Sequence, residues 1–223
     1  MSVLSEAQRY FYDENGYLLV SGLIPDEIAQ GAERAMWEEM GASPDDPLTW
    51  TEEARKKQAY KRPEIVALFT DAYLAAAMEL WGDSPEPFDR PKTGYAVNTF
   101  PSDGLWSPHA AHLDHSIKEH GHKTFPTAFR IASMCFLHDV EPHGGGTVVW
   151  PGAHQRVRAL AESDPTRYEL MWSLSRDLGL AEIGEPVEII PRGGDVLFYQ
   201  CLCPHSGSRN VSARPRLALN CKW

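Results

Sequence analysis

From residue 92 onward the chain is a series of short β-type runs separated by glycine- and proline-bearing turns: TGYAVNTF, FRIASMCFLHDV, TVVWPG, PVEIIP, DVLFYQ and RLALNCKW. No such run buries a face alone, and many of them in succession are the pattern of an antiparallel sandwich or barrel. The 17 Gly and 17 Pro supply the turns that this pattern needs. One stretch, 164–178, reads as a helical excursion between strands.

The first 90 residues have a different texture. Ser5 can cap a short helix that runs to Asn15 and stops at Gly16. GYLLV then reads as a strand, and Pro25 stands where a first-turn proline belongs. DEIAQGAERAMWEEM carries Ile28, Ala32, Ala35, Met36 and Met40 at helical spacing and is closed by Gly41. The segment 63–81 again has helical periodicity, and its apolar side chains are expected to pack on the sheet. The fold class is therefore α+β, mainly β, in a single domain over 1–223, with a helical part at 1–90 and a β core at 91–223.

The charge balance, 21 basic to 31 acidic side chains, argues against nucleic acid and anionic membrane as partners. No run of about 18 apolar residues and no signal-peptide pattern occurs. Cys135, Cys201, Cys203 and Cys221 form no CxxC pair, which fits free thiols in a reducing cytoplasm. Cys201 and Cys203 would share one strand face, where a soft-metal pair competes with plain core packing. No motif sets the oligomeric state.

The segment HAAHLDHSIKEHGH, residues 109–122, holds five of the nine histidines. His112 and Asp114 are two residues apart, so on a strand both side chains point to one side and can meet one ion. A third ligand must come from elsewhere, and two His with one carboxylate on one octahedral face is the ligand set of non-haem Fe(II) oxygenases. His205, at the end of DVLFYQ, is well placed to supply it. Arg216 opens the next strand across a hairpin and can reach the same cavity, where a guanidinium forks onto a carboxylate better than Lys does. Arg214 is its rival, but the parity of RLALN turns Arg216, Ala218 and Asn220 inward.

These motifs occur in an order that resembles the phytanoyl-CoA dioxygenase family of Fe(II)- and 2-oxoglutarate-dependent oxygenases. The likeness spans FYDENGYLLVSGLIPDEI, HLD, HDVEPHGGGTVVWPGAH, IIPRGGDVLFYQCLCPHSGSRN and RPRLAL. It implies a double-stranded β-helix, or jelly roll, with N-terminal helices on the sheet. It also implies Fe(II) on His112, Asp114 and His205, and 2-oxoglutarate held by Arg216, with Ser206 or Ser208 beside the distal histidine as a further contact. On that reading O2 and 2-oxoglutarate become succinate and CO2 while a small-molecule substrate is oxidised, most simply by hydroxylation. Halogenases of this type carry a small residue at the carboxylate position, and Asp114 fills it here.

Other residues are open to two readings. Asn98, on YAVNTF, can bind the co-substrate or face outward. Arg130 and Met134 share strand parity and are candidates for the cavity lining. His109, His115, His120 and His122 can line the entrance or be solvated surface, with His115 expected on the face opposite His112. His138, His143 and His154 are expected to be structural, the last two at turns, and Trp150 to pack. No Lys/Arg cluster stands beside the site in sequence, which favours a free metabolite over an acyl-CoA. Two other classes stay open: a cupin-like metalloenzyme that needs no 2-oxoglutarate, and a non-catalytic metal-binding jelly-roll module.

Overall fold

The structure, a computed structural model, describes residues 2–82 and 88–223. Residues 83–87, part of the DSPEPFDRP segment where the sequence texture changes, lie outside the described residues.

Local chemistry explains the first elements. Helix α1 (Glu6–Asn15) opens on a full capping box: the Ser5 hydroxyl accepts from Gln8 N–H, and the Gln8 side chain accepts from Ser5 N–H. Gly16 ends it in the left-handed conformation, where a Cβ would run into the His154 ring 2.5 Å away. Strand β1 (Tyr17–Val20) follows directly, then α2 (Asp26–Met40), for which Pro25 is the cap rather than the first helical residue. After an irregular stretch come the two-residue β2 (Ala59–Tyr60), α3 (Pro63–Val66) and α4 (Asp71–Trp81). The expected continuous helix over 63–81 is thus two helices. Thr70 takes an extended backbone and caps α4 through Tyr73 N–H, which restarts the helix there.

The β region contains β3 (Gly94–Ala96), β4 (Ile131–Phe136) and β5 (Val148–Val149). It then makes α5 (Ala153–Ser163) and α6 (Met171–Arg176) before β6 (Val187–Glu188). The helical excursion therefore begins earlier than expected: α5 lies before 164–178, and His154 sits inside a helix, not at a turn. Strands β7 (Val196–Gln200), β8 (His205–Ser206) and β9 (Ala218–Lys222) complete the chain.

Six strands form an antiparallel sheet in the order β1-β7-β4-β9-β3-β2, and β6-β5-β8 form a smaller one. Neither sheet closes on itself. In the large sheet Met134 lies opposite Leu197 and Asn220. Every residue of β4 is buried, because both faces of this central strand are covered. Ile131 and Cys135 join Val196, Phe198 and Leu219 against Ile65, Tyr73 and Trp81 of the N-terminal helices and Phe69 between α3 and α4. Ala132, Met134 and Phe136 join Leu197, Tyr199 and Ala218 against Leu113 and Val149 of the smaller sheet's side. The two sheets therefore enclose one apolar layer and the helices close the other, as the jelly-roll expectation requires.

The turn before β7 is specified by its sequence. Gly194 has a positive φ, and a Cβ there would meet Ile24 O at 2.3 Å. The buried Asp195 carboxylate accepts from Gly22 N–H and Arg192 N–H, tying the turn to the end of β1. Cys201 and Cys203 lie beyond the end of β7 rather than on it. Both are buried, and burial pushes the Cys203 thiol up to about 12, so these are core thiols and not a thiolate pair.

Candidate active site

The strand segment that carries His112 pairs with β8 through a reciprocal bond: His112 N–H donates to His205 O (3.0 Å), and His205 N–H donates to His112 O (3.1 Å). Residues in such a pair sit with their Cα atoms about 5.5 Å apart and their side chains on one side of the ladder. The two imidazole centroids are 4.6 Å apart. Asp114 Oδ2 comes within 3.6 Å of His205 Nε2, and one donor atom from each of the three residues lies within 4.8 Å of the others. Among the described residues no other set of three His, Cys, Asp or Glu side chains converges in this way.

The surrounding groups prepare these donors. His205 Nδ1 donates to Cys203 O at 3.0 Å, since a carbonyl only accepts, and this turns Nε2 towards Asp114. His112 is open to the cavity mouth. Even so, the protein around its ring, and then the nearby His205, push its pKa down to about 4, so it is a neutral donor. Burial works against the Asp114 carboxylate, but His205 and Lys222 outweigh it and hold its pKa well below the usual range. Lys222 Nζ lies 3.2 Å from Asp114 Oδ2, and Tyr199 donates its hydroxyl to the same oxygen at 3.3 Å. Burial keeps Tyr199 a phenol, and Asn220 Nδ2 supports it at 3.0 Å. Two imidazoles and a carboxylate are the hard and borderline donors that suit Fe(II).

A cavity of about 650 Å³ opens over the triad. Arg216 reaches it from β9's approach and is only 2% exposed. Its Nη1 donates to Thr147 Oγ1 (3.0 Å), and its Nη2 donates to Val97 O (2.7 Å) and Thr99 Oγ1 (2.8 Å). Nε has no partner, and no carboxylate pairs with this guanidinium among the described residues. Burial pushes its pKa down to about 10, still charged at neutral pH. An unanswered buried cation is costly, and an anionic ligand in the cavity would relieve it. Arg214, by contrast, sits at the surface and pairs with Glu33.

The other expected residues divide. Met134, His109 and Ser206 line the cavity. Ser206 Oγ is buried with no partner, whereas Ser208 Oγ is committed to Gly146 O at 2.8 Å. Asn98 borders the cavity, but its amide is engaged elsewhere: Nδ2 lies against the Met36 and Met40 sulphurs of α2, and Oδ1 accepts from Ala218 N–H. Arg130 does not share the face of Met134. It precedes β4, is exposed, and donates to Trp81 O at 3.2 Å in a separate cavity beyond Phe129. His115, His120 and His122 cluster beside the mouth, with His115 and His122 centroids 4.4 Å apart. His138 accepts from Leu217 N–H, His143 stacks on Trp106, and His154 bonds Asp13 O; all three are structural. Sequence reading missed Thr99, Thr147, Tyr199 and Lys222. Of these, Tyr199 and Lys222 were accessible from the parity of their strands. It also missed Arg55 and Lys57, which the structure brings to the cavity from far up the chain.

The chain matches the phytanoyl-CoA dioxygenase (PhyH) family over residues 12–218. This protein belongs to the phytanoyl-CoA dioxygenase family. Among solved structures, it is similar to the carbocyclase SnoK from nogalamycin biosynthesis, described as non-heme and alpha-ketoglutarate dependent (TM-score 0.66, 20% identity, 99% of this chain and 84% of that one). It is also similar to EctD from S. alaskensis with 2-oxoglutarate and 5-hydroxyectoine (TM-score 0.67, 19% identity, 98% and 75%). A third is the epimerase SnoN in complex with Fe3+, alpha ketoglutarate and nogalamycin RO (TM-score 0.63, 16% identity, 96% and 81%). At these identities the likeness establishes that the PhyH-family chain shares their fold. No curated protein sequence matches it.

Proposed function

We propose that this PhyH-family chain is an Fe(II)- and 2-oxoglutarate-dependent dioxygenase. It oxidises an unactivated C–H bond of a small-molecule metabolite by hydroxylation, while 2-oxoglutarate and O2 become succinate and CO2. One observation carries the reading: Arg216, a buried guanidinium with no carboxylate partner, opens into the same cavity as the His112–Asp114–His205 triad. A metal site alone fits many chemistries, but a metal site beside an unanswered buried cation calls for an anionic metal ligand. EctD and SnoN, with 2-oxoglutarate or alpha ketoglutarate in their structures, support the choice of co-substrate.

In this assignment His112, Asp114 and His205 hold the iron, and Arg216 receives the distal carboxylate of 2-oxoglutarate. Ser206 adds a hydroxyl to the co-substrate, and Thr99 and Thr147 keep the guanidinium aimed. Tyr199 and Asn220 fix the Asp114 carboxylate. Iron and 2-oxoglutarate, once bound, supply with O2 the oxidising power that breaks the substrate C–H bond. Val97 and Met134 give the cavity an apolar wall that excludes water from that chemistry. Asp114 occupies the ligand position that a halide would need, which supports oxygen insertion over halogenation. Four free cysteines support a reducing compartment such as the cytoplasm, and no helix among the described residues is long and apolar enough to cross a membrane.

The test is direct. Anaerobic protein loaded with Fe(II) is expected to develop a charge-transfer band when 2-oxoglutarate is added, and to release succinate under air. Neither signal appearing would refute the reading. Turnover undiminished in Arg216→Ala would replace it with a metalloenzyme that needs no co-substrate. A product heavier by one oxygen atom separates hydroxylation from epimerisation or ring closure.

A further inference from the structure

Two cationic side chains that this chemistry leaves unused, Arg55 and Lys57 from the run before β2, converge on the same cavity, where Lys222 from β9 adds a third positive charge beside Asp114. The pairing of Ala59 with Tyr95, and the bond from Ala96 N–H to Gln58 O (2.8 Å), lay that run along β3 beside the cavity. Arg55 is held in place. Its Nε donates to Trp50 O at 2.9 Å, and its guanidinium carbon lies 5.0 Å from the centroid of Phe100, itself a cavity wall. Lys57 is exposed and lines the cavity together with His112. Neither Arg55 nor Lys57 pairs with an acid among the described residues.

The charge balance is unusual for this chain. Acidic side chains outnumber basic ones 31 to 21 overall, yet among the described residues Asp114 is the one acid lining this cavity, against Arg55, Lys57, Arg216 and Lys222. Iron(II) on Asp114 leaves one positive charge. That charge and Arg216 together answer the two carboxylates of 2-oxoglutarate. Arg55 and Lys57 then remain unanswered, while Lys222 stays beside Asp114 at 3.2 Å. A cleft lined with one sign of charge concentrates ligands of the other sign. Phe100, Ile117 and Met134 on the same walls suit a carbon skeleton.

We propose that Arg55 and Lys57 recognise an anionic group of the substrate, a carboxylate or a phosphate, at the mouth of the cavity, and that Lys222 reinforces its field. This rests on the oxygenase reading above and names the substrate class for it.

The test uses full-length protein loaded with Mn(II) and 2-oxoglutarate, titrated calorimetrically with phenylacetate, phenyl phosphate and neutral benzyl alcohol. At least one anion is expected to bind about tenfold or more tighter than the alcohol, and the tighter of the two identifies the source of the charge. In Arg55→Gln/Lys57→Gln, and in Lys57→Glu as a milder surface change, anion affinity is expected to fall about tenfold while 2-oxoglutarate affinity stays within about twofold. The proposal is overturned if neither anion outbinds the alcohol, or if the variants keep full anion affinity. It is also overturned if the variants lose 2-oxoglutarate affinity instead, since the cations would then serve the co-substrate. Failure of the oxygenase reading appears separately, as wild-type protein that takes up no 2-oxoglutarate at all.

Discussion

Replacing Arg216 by Met separates folding from co-substrate binding in one experiment. The guanidinium carries five N–H donors. Three hydrogen bonds go to Thr147, Val97 and Thr99, which leaves Nε–H and one Nη1 hydrogen for a ligand. Two charge-assisted bonds at about 1.5 kcal/mol or more each come to about 3 kcal/mol, roughly a hundredfold in the Kd for 2-oxoglutarate. The metal-free fold responds differently. Burial lowers the Arg216 pKa from 12.5 to about 10, so holding the charge costs about 3 kcal/mol in the folded state. The three hydrogen bonds repay about 1 kcal/mol each. The two terms nearly cancel, so Arg216→Met is expected to melt within a few degrees of wild type. Differential scanning fluorimetry with Mn(II) reads both effects. At about 100 times Kd, 2-oxoglutarate stabilises by about 2.7 kcal/mol, or roughly 5–10 °C for a chain of this size. Wild type should show that rise and Arg216→Met should not. A variant that still gains the full rise would refute the assignment of Arg216 to the co-substrate.

Ser206→Ala should weaken 2-oxoglutarate binding with little change in stability. Ser208→Ala should instead cost about 1 kcal/mol of stability, because it strands the buried Gly146 carbonyl, and leave co-substrate affinity intact; chemical denaturation and calorimetry of both variants check the contrast. Tyr199→Phe removes a hydroxyl from Asp114 and should lower Fe(II) affinity by about tenfold, measured by competition with a chelator; unchanged affinity would mean Lys222 alone positions the carboxylate. Burial lowers the His154 pKa below its ordinary 6.5, so the unfolded chain binds the proton more readily. Stability should therefore fall as pH drops through 6.5 towards the lower folded value, and the urea midpoint of His154→Gln should fall less over the same range.

Short-range chemistry made much of this protein legible. Ser5, Gln8 and Gly16 announce α1, and the i, i+2 spacing flags His112 and Asp114 as a pair, although only His112 makes a strand bridge and Asp114 reaches the same point from the turn that follows. His205 and Arg216 could be assigned to the same cavity because each sits at the start or end of a recognisable strand. The failures share a cause. Thr70 breaks 63–81 by choosing to cap, a competition that periodicity does not register. Arg130 has the parity of Met134, but the ladder begins one residue later, and outside a ladder parity means nothing. Ala153, Val157 and Ala161 do carry a helical spacing; the preceding Pro-Gly made it look like a turn. Arg55 and Lys57 lie beside His112 only because β2 pairs with β3, and no local pattern encodes a sheet edge.

The reciprocal bond between His112 and His205 has a consequence for how the protein lives with its metal. Two candidate ligands separated by most of the β region are brought together by backbone pairing, so the entropy of closing that long loop is met when the sheets assemble and not when an ion arrives. Binding energy is then available for affinity rather than for ordering the chain, unlike small zinc domains that fold only around their ion. Chelation should empty the centre without melting the sheets.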